Sequence, residues 1–149
     1  MLKMSKKAEY ALIGMLHMSQ KGGEELTTAK EFSMCYNIPP EIMGKVLQLL
    51  VKAGLIQSVQ GVKGGYRLDK PAEQVNISDI YNAIEGPWQI VNCIRQHEMS
   101  NCEQIYACNI RNPMEVIQKK LERFFDTITL KDLEIEMKNT GPLKHIHLG

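Results

Sequence analysis

Apolar residues recur at steps of three and four positions near the start of the chain, which is the spacing of one face of an α-helix. Ser5 can cap this first helix, which we expect to run to about Ser19 and to end at Gly22 and Gly23. Glu9 lies in the first turn, where a carboxylate complements the partial positive charge of the helix amino terminus. The apolar stripe consists of Ala8, Ala11, Leu12, Met15 and Leu16.

A second apolar stripe, within residues 42–51, predicts another helix that Pro40 opens. Before it, Thr28 and Glu31 fit a capping box that starts a shorter helix reaching Cys35. A turn of about four residues separates the two helices, and this arrangement is typical of a helix-turn-helix.

Two short runs with strand character follow, at residues 55–59 and 66–68. The tip between them, residues 60–65, is rich in glycine and carries one lysine. Glycines let such a tip adopt positive φ and lie close to a sugar–phosphate backbone, although a purely structural hairpin is the alternative. A helix-turn-helix followed by a two-stranded ribbon is a winged helix, so the predicted fold is mainly α with a small β-hairpin wing.

The second half of the chain predicts further helices. One covers residues 79–85 after a start at Asn76 or Ser78, and a long one begins at Asn112-Pro113. The wide apolar face of the long helix predicts a C-terminal dimerisation helix, unless the helix folds back on its own domain. Thr129 begins a short further helical piece. The apolar face comprises Met114, Ile117, Leu121, Phe124, Phe125 and Ile128.

Composition narrows the class of protein. The 149 residues suffice for one sizeable core, and 44% hydrophobic with 23% charged residues is ordinary for a soluble globular protein. No membrane-spanning run or signal peptide is evident, so we expect a cytoplasmic protein with reduced cysteines. Residues 1–70 hold ten Lys/Arg and six Asp/Glu, and residues 71–149 hold eight and eleven. A polyanion is therefore expected to bind the front half.

Three of the four cysteines, Cys93, Cys102 and Cys108, fall in one short segment with the spacing Cys-x8-Cys-x5-Cys. Thiolates are soft ligands that suit zinc or an iron–sulfur cluster. Three ligands are one short of a full set, so such a site needs a fourth ligand or keeps an open position. The alternative is that the three cysteines are unrelated and that some are buried as small apolar residues.

Nearly the whole chain resembles the bacterial Rrf-two family of winged-helix transcriptional regulators, especially its iron–sulfur members of the IscR, NsrR and RirA type. The resemblance rests on residues 5–12 of the first helix, 54–61 leading into the wing and 64–68 leaving it, the stretch 80–86, the three-cysteine loop, and 129–133 after the long helix.

The resemblance implies a homodimer held by the long helix and a two-iron or four-iron cluster. The family's best-known member has a histidine three residues after the last cysteine, where this chain has Arg111. Other members use a carboxylate early in the first helix, donated by the partner subunit, and the matching residue is Glu9. His97, inside the loop, is the main alternative fourth ligand. The implied thiolate ligands are Cys93, Cys102 and Cys108. The family pattern does not use the position of Cys35 as a ligand, so we expect Cys35 to be a core residue.

The implied function is that of a DNA-binding regulator, a repressor, whose affinity for a palindromic operator depends on a cluster that senses redox state, nitric oxide or iron. The third helix would enter the major groove and the wing would reach the adjacent minor groove. The expected DNA-contacting residues are Thr28, Tyr36, Pro40, Glu41, Lys45, Gln48, Gln60, Lys63, Gly64 and Gly65. The expected parts are the DNA-binding domain (1–86), the cysteine loop (87–111), the dimerisation helix with the short following helix (112–138) and a flexible tail (139–149).

Other classes remain open on the sequence. One is a winged-helix repressor without a cluster, which uses a thiol switch or binds a metabolite or partner. Another is a small electron-transfer or zinc-structural protein whose helix-turn-helix is incidental. An enzyme is not expected, because the sequence shows no nucleophile–base motif, no paired carboxylates with an obvious pocket and no recognised set of histidines.

Overall fold

The structure, a computed structural model, describes residues 3–93 and 102–141. Six α-helices and one antiparallel hairpin lie within these ranges. The predicted fold, mainly helical with a small hairpin, is confirmed. Within these residues no helix is both long and apolar enough to cross a membrane. In chain order the elements are α1 (Lys6–Lys21), α2 (Ala29–Tyr36), α3 (Pro40–Lys52), β1 (Ile56–Val59), β2 (Gly65–Leu68), α4 (Ile77–Glu85), α5 (Arg111–Asp126) and α6 (Leu130–Thr140).

Side-chain caps determine where several helices begin. The Ser5 hydroxyl accepts a hydrogen bond from the Ala8 amide at 3.1 Å, which starts α1 as predicted. Reciprocal capping boxes open α4 at Asn76 and α6 at Thr129. These local signals satisfy amide groups that the first helical turn leaves without partners.

The capping box predicted for α2 is only half formed. Thr28 accepts from the Glu31 amide at 3.1 Å, but the Glu31 carboxylate bonds Lys21 Nζ on α1 at 2.6 Å. The prediction of a reciprocal box is therefore wrong, because the charge-assisted bond to lysine competes with the neutral amide. Cys35 is exposed, so its assignment to the core is also wrong: α2 has eight residues and buries only Phe32.

One apolar core joins the helix-turn-helix to the end of the chain. Helices α1, α2, α3, α4 and α6 all contribute to it, and burial of each large side chain stabilises the fold by about 1.5–3 kcal/mol. Its fully buried members include Met15, Phe32, Leu47, Ile80 and Leu130.

The last helix packs against the first. Leu130 of α6 is fully buried, and the Ser19 hydroxyl of α1 donates to the Glu134 carboxylate at 2.7 Å. α6 runs to Thr140, so it is longer than the short piece predicted and includes the first two residues of the expected tail. The domain boundaries stay a prediction, but α6 contributes to the same apolar core as α1 to α4, whereas the described core residues include none from α5.

The hairpin is anchored to the helix-turn-helix. β1 and β2 pair with Ile56 opposite Leu68. The Thr27 amide donates to the Tyr66 carbonyl at 2.9 Å, and the Tyr66 amide donates to the Thr27 carbonyl at 2.8 Å. This bridge places the wing beside the residues that open α2.

Candidate DNA-binding surface and cysteine segment

The two faces of α3 differ in burial. Glu41, Lys45 and Gln48, at steps of four and three residues, are exposed. A helix that is fixed by one apolar face and presents polar side chains on the other suits docking in a DNA groove. The buried face consists of Met43, Val46, Leu47 and Leu50.

The predicted contacts around the turn before α3 also reach the surface. Thr28, Tyr36 and Pro40 are all exposed. Asn37, which ends α2, has a φ of 53°, and this left-handed conformation reverses the chain before α3. Pro40 occupies the first position of α3, as predicted.

The tip of the wing exposes Gln60 and Lys63, whereas Gly64 and Gly65 are half-buried. A Cβ atom on Gly64 would overlap the carbonyl oxygen of Val59. Gly64 is therefore required for the hairpin to close on itself, in addition to any approach to DNA.

Two lysines on this surface are free to meet phosphates. Lys45 and Lys63 have no acidic partner within the described parts of the chain. Lys21, in contrast, is bound to Glu31. Unpaired cations on one surface favour the binding of a polyanion.

The cysteines predicted as ligands lie on either side of residues 94–101, which fall outside the described structure. Cys93 and Cys108 are half-buried, and Cys102 is exposed with its Sγ 3.5 Å from Gln104 Oε1. All three are free thiols. Cys108 lies three residues before α5, which begins at Arg111.

Gln118 of α5 holds the segment that leads to Cys93, and sequence reasoning did not predict this. Its side chain is 2% exposed; Nε2 donates to the Trp88 carbonyl at 3.2 Å and Oε1 accepts from the Ile90 amide at 3.0 Å. The sequence does carry one signal for this contact: a glutamine on the apolar face of a predicted helix. Such a side chain is expected to be buried, and a buried amide needs hydrogen-bond partners.

The described residues do not assemble a metal site within one chain. In the ranges 3–93 and 102–141, no three His, Cys, Asp or Glu side chains are grouped so that they could hold a metal ion. The thiols suit a cluster chemically, but the described residues of one chain do not complete a ligand set. Glu9 bonds Lys6 Nζ at 2.8 Å, and His97 lies outside the described residues. The ligand set of Cys93, Cys102, Cys108 and Glu9 stays a prediction.

The apolar face of α5 is divided between two environments. The Phe125 ring packs edge-on against Trp88, with 5.7 Å between the centroids, so part of the helix does fold back on its own chain. Val116, Ile117 and Phe124 remain exposed, at 54%, 44% and 57%. Exposed apolar groups clustered on one helix are typical of a protein–protein interface.

The fold and these surfaces define a winged-helix DNA-binding protein with an additional helix outside its DNA-binding head. The sequence profile of the Rrf2 family, described as iron-dependent transcriptional regulators, matches residues 4–135. The chain belongs to this family. It is a transcriptional regulator and not an enzyme, as predicted, and regulators of this family bind DNA and generally act as dimers.

Individual relatives agree with this assignment. The regulator NsrR of Halalkalibacterium halodurans is 28% identical over 132 residues, which cover 89% of this chain and 90% of NsrR. CymR, described as the global cysteine regulator of B. subtilis, superposes with a TM-score of 0.73 at 28% identity, covering 91% of this chain and 98% of CymR. T. potens IscR has the same fold, with a TM-score of 0.69 at 24% identity, covering 96% and 93%.

Proposed function

We propose that this protein is a repressor that binds a palindromic operator as a homodimer, with α3 in the major groove and the wing at the adjacent minor groove. The exposed polar face of α3 is the observation that carries the proposal. Glu41 can accept a hydrogen bond from the cytosine amino group, Gln48 can bind adenine, and Lys45 can bind guanine or a phosphate.

Substitution of Lys45 tests this placement. Lys45→Ala is expected to weaken operator binding in a mobility-shift assay, by about 1–3 kcal/mol if the lysine contacts a base. If it contacts a phosphate, the slope of log K against the logarithm of the salt concentration should become shallower by about one unit. Lys52→Ala is the matched control, because Lys52 is exposed on the same helix about 10 Å further along. Equal binding by Lys45→Ala and the native protein would refute the placement of α3.

Dimerisation through α5 follows from its exposed apolar residues. Ile110, Ile117 and Phe124 are seven residues apart and exposed, with Met114 and Leu121 half-buried between them. Alternating steps of four and three residues are the spacing of a coiled-coil seam. Two such helices would cover each other's apolar residues and set the distance between two α3 helices for half-sites about one DNA turn apart.

Control of DNA affinity is the finer part of the proposal. Cys93, Cys102 and Cys108 would hold an iron–sulfur cluster, with Glu9 of the other subunit as the fourth ligand. The family's description as iron-dependent supports this, as do three free thiols in one segment. When bound, a cluster supplies iron and sulfide that react with oxygen or nitric oxide.

This chain's own residues would transmit the state of the segment. Cys108 lies three residues before α5, and Gln118 ties the backbone before Cys93 to the same helix. If the three thiols were held in fixed positions, the position of α5 would be biased as well. Glu9 of the other subunit would connect the cysteine segment to α1. A coupling of about 1–3 kcal/mol would change operator affinity about 5- to 150-fold.

Anaerobic purification tests the cluster directly through iron content, acid-labile sulfide, absorption and Mössbauer spectra. Cys102→Ser is expected to lose iron and sulfide, whereas Cys35→Ser, which changes another exposed cysteine, should keep both. Glu9→Ala should alter the Mössbauer signal of one iron. Iron-free protein after reconstitution would contradict the cluster proposal without affecting the DNA-binding proposal.

The similarity to CymR favours a second candidate: a repressor without a cluster, which responds through a thiol switch or a metabolite. The exposure of Cys102 makes its thiol accessible to oxidants. In this case the purified protein would be colourless, and operator affinity would change on treatment with oxidant and reverse with dithiothreitol.

A further inference from the structure

A chain of polar side chains connects α1 to Tyr36, in the last turn of α2. Lys21 Nζ bonds the Glu31 carboxylate at 2.6 Å, and Glu31 Oε2 lies 3.3 Å from His17 Nε2. His17 Nδ1 lies 2.6 Å from the Tyr36 hydroxyl, which is at the protein surface. His17 thus has one ring nitrogen facing a carboxylate and the other facing a predicted DNA contact.

The carboxylate determines where a neutral His17 carries its proton. The hydrogen bond from Lys21, followed by that from His17, holds the pKa of Glu31 below its ordinary value, so Glu31 is ionised near neutral pH. An ionised carboxylate only accepts hydrogen bonds, so Nε2 must be the protonated nitrogen. Nδ1 then has a lone pair and must accept the hydrogen of the Tyr36 hydroxyl.

This arrangement turns the only hydrogen of the Tyr36 hydroxyl inward. Burial, with smaller effects of Cys35 and Glu31, raises the pKa of Tyr36, so the phenol keeps its proton. A DNA phosphate also only accepts hydrogen bonds, and it would meet the lone pairs of the phenol oxygen. If His17 takes up a second proton, Nδ1–H donates to the Tyr36 oxygen and the phenol hydrogen becomes free to point outward.

We propose that His17 is a positioning residue that sets the direction of the Tyr36 hydroxyl, so that a hydrogen bond from Tyr36 to a DNA phosphate requires uptake of one proton from solvent by His17. The inference rests on the proposed contact between Tyr36 and DNA. No other described residue in the network offers Tyr36 a switchable donor, because Lys21 is occupied by Glu31.

The charged groups around His17 carry both signs. Lys21 of α1 is positive, while Glu31 of α2 and a bound phosphate are negative. Cys35 and Tyr36, also on α2, are the other titratable groups that face the network, and Glu25 lies 3.6 Å from Lys21. Imidazole titrates near physiological pH. DNA binding should therefore weaken as pH rises, by up to about tenfold per pH unit for one linked proton.

The test measures duplex binding by fluorescence anisotropy at constant salt between about pH 5.5 and 8. A random duplex is used beside the duplex of the protein's own promoter, because phosphate contacts do not depend on sequence. We expect Tyr36→Phe and His17→Gln each to flatten the pH dependence that the native protein shows, and the double variant to add nothing. Other titrating groups remain in every variant. The difference in pH dependence between the native protein and a variant therefore reports on His17 and Tyr36.

Nitrogen chemical shifts of the His17 ring provide a second measurement that needs no variant. Saturation with duplex near neutral pH should shift the ring toward the imidazolium state. The inference is overturned if Tyr36→Phe binds DNA with the native pH dependence, or if the ring stays neutral in the complex. Failure of the native protein to bind either duplex would instead overturn the proposed function.

Discussion

Replacement of Gln118 by leucine tests whether α5 holds the segment before Cys93. Leucine is close to glutamine in size, so the packing at this buried position should survive. The substitution removes the donor to the Trp88 carbonyl and the acceptor for the Ile90 amide. Gln118 Nε2 also donates to Glu122 Oε1 at 3.2 Å within α5, and this bond is lost in the variant as well.

The size of the effect follows from the two backbone groups. A fully buried group that loses its partner costs about 1–3 kcal/mol, and these two groups are partly buried. The segment can turn outward, where both backbone groups bond water. The loss in the free energy of unfolding therefore cannot exceed the free energy that holds the segment against α5. We therefore expect local opening to become easier by about 2–3 kcal/mol, which is about 30- to 150-fold in the opening equilibrium.

Hydrogen exchange of the Ile90 amide measures this opening directly. Gln118→Leu should accelerate exchange of this amide by about 30- to 150-fold. Gln89→Leu, at an exposed position in the same segment, should leave the exchange rate unchanged. Amides of the central core should exchange at native rates in both variants. Native exchange at Ile90 in Gln118→Leu would show that the two hydrogen bonds do not hold the segment.

Three further predictions concern the wing, the core and the dimer. Gly64→Ala should weaken DNA binding without lowering the thermal midpoint of the helical core, because the added Cβ overlaps the Val59 carbonyl and displaces the tip; native affinity would contradict this. The hydrogen bond from Ser19 lowers the pKa of Glu134, so its contribution to stability is present above the unfolded-state pKa and is lost as pH falls through the folded-state pKa. Urea unfolding should accordingly show less acid destabilisation in Glu134→Gln than in the native protein, and parallel curves would refute the assignment. Phe124→Asp should convert a dimer to a monomer in light scattering, with native helicity by circular dichroism; a dimer of unchanged affinity would move the interface elsewhere.

Local chemistry explains why most elements were predictable. Ser5 and Thr129 accept hydrogen bonds from amides three residues further on, and Pro40 fixes its own φ, so their effect does not depend on the rest of the fold. The steps of three and four residues in α3 likewise predicted which side chains are buried and left Glu41 and Lys45 exposed. The candidate DNA surface could therefore be derived from sequence patterns, although its contacts with DNA stay proposals.

The tertiary structure decided what depends on residues far apart in the chain. Glu31 has the right position for a capping box, but Lys21 and His17 of another helix take its carboxylate. Cys35 has an apolar character, but the packing of the helices leaves it exposed. The sequence by itself determined the elements and the polar face of α3, because caps and periodicity act over one or two helical turns. Only the packing of helices determined that Gln118 holds the segment before Cys93 and that α6 returns to α1, because a buried polar group takes whichever partner the fold brings to it.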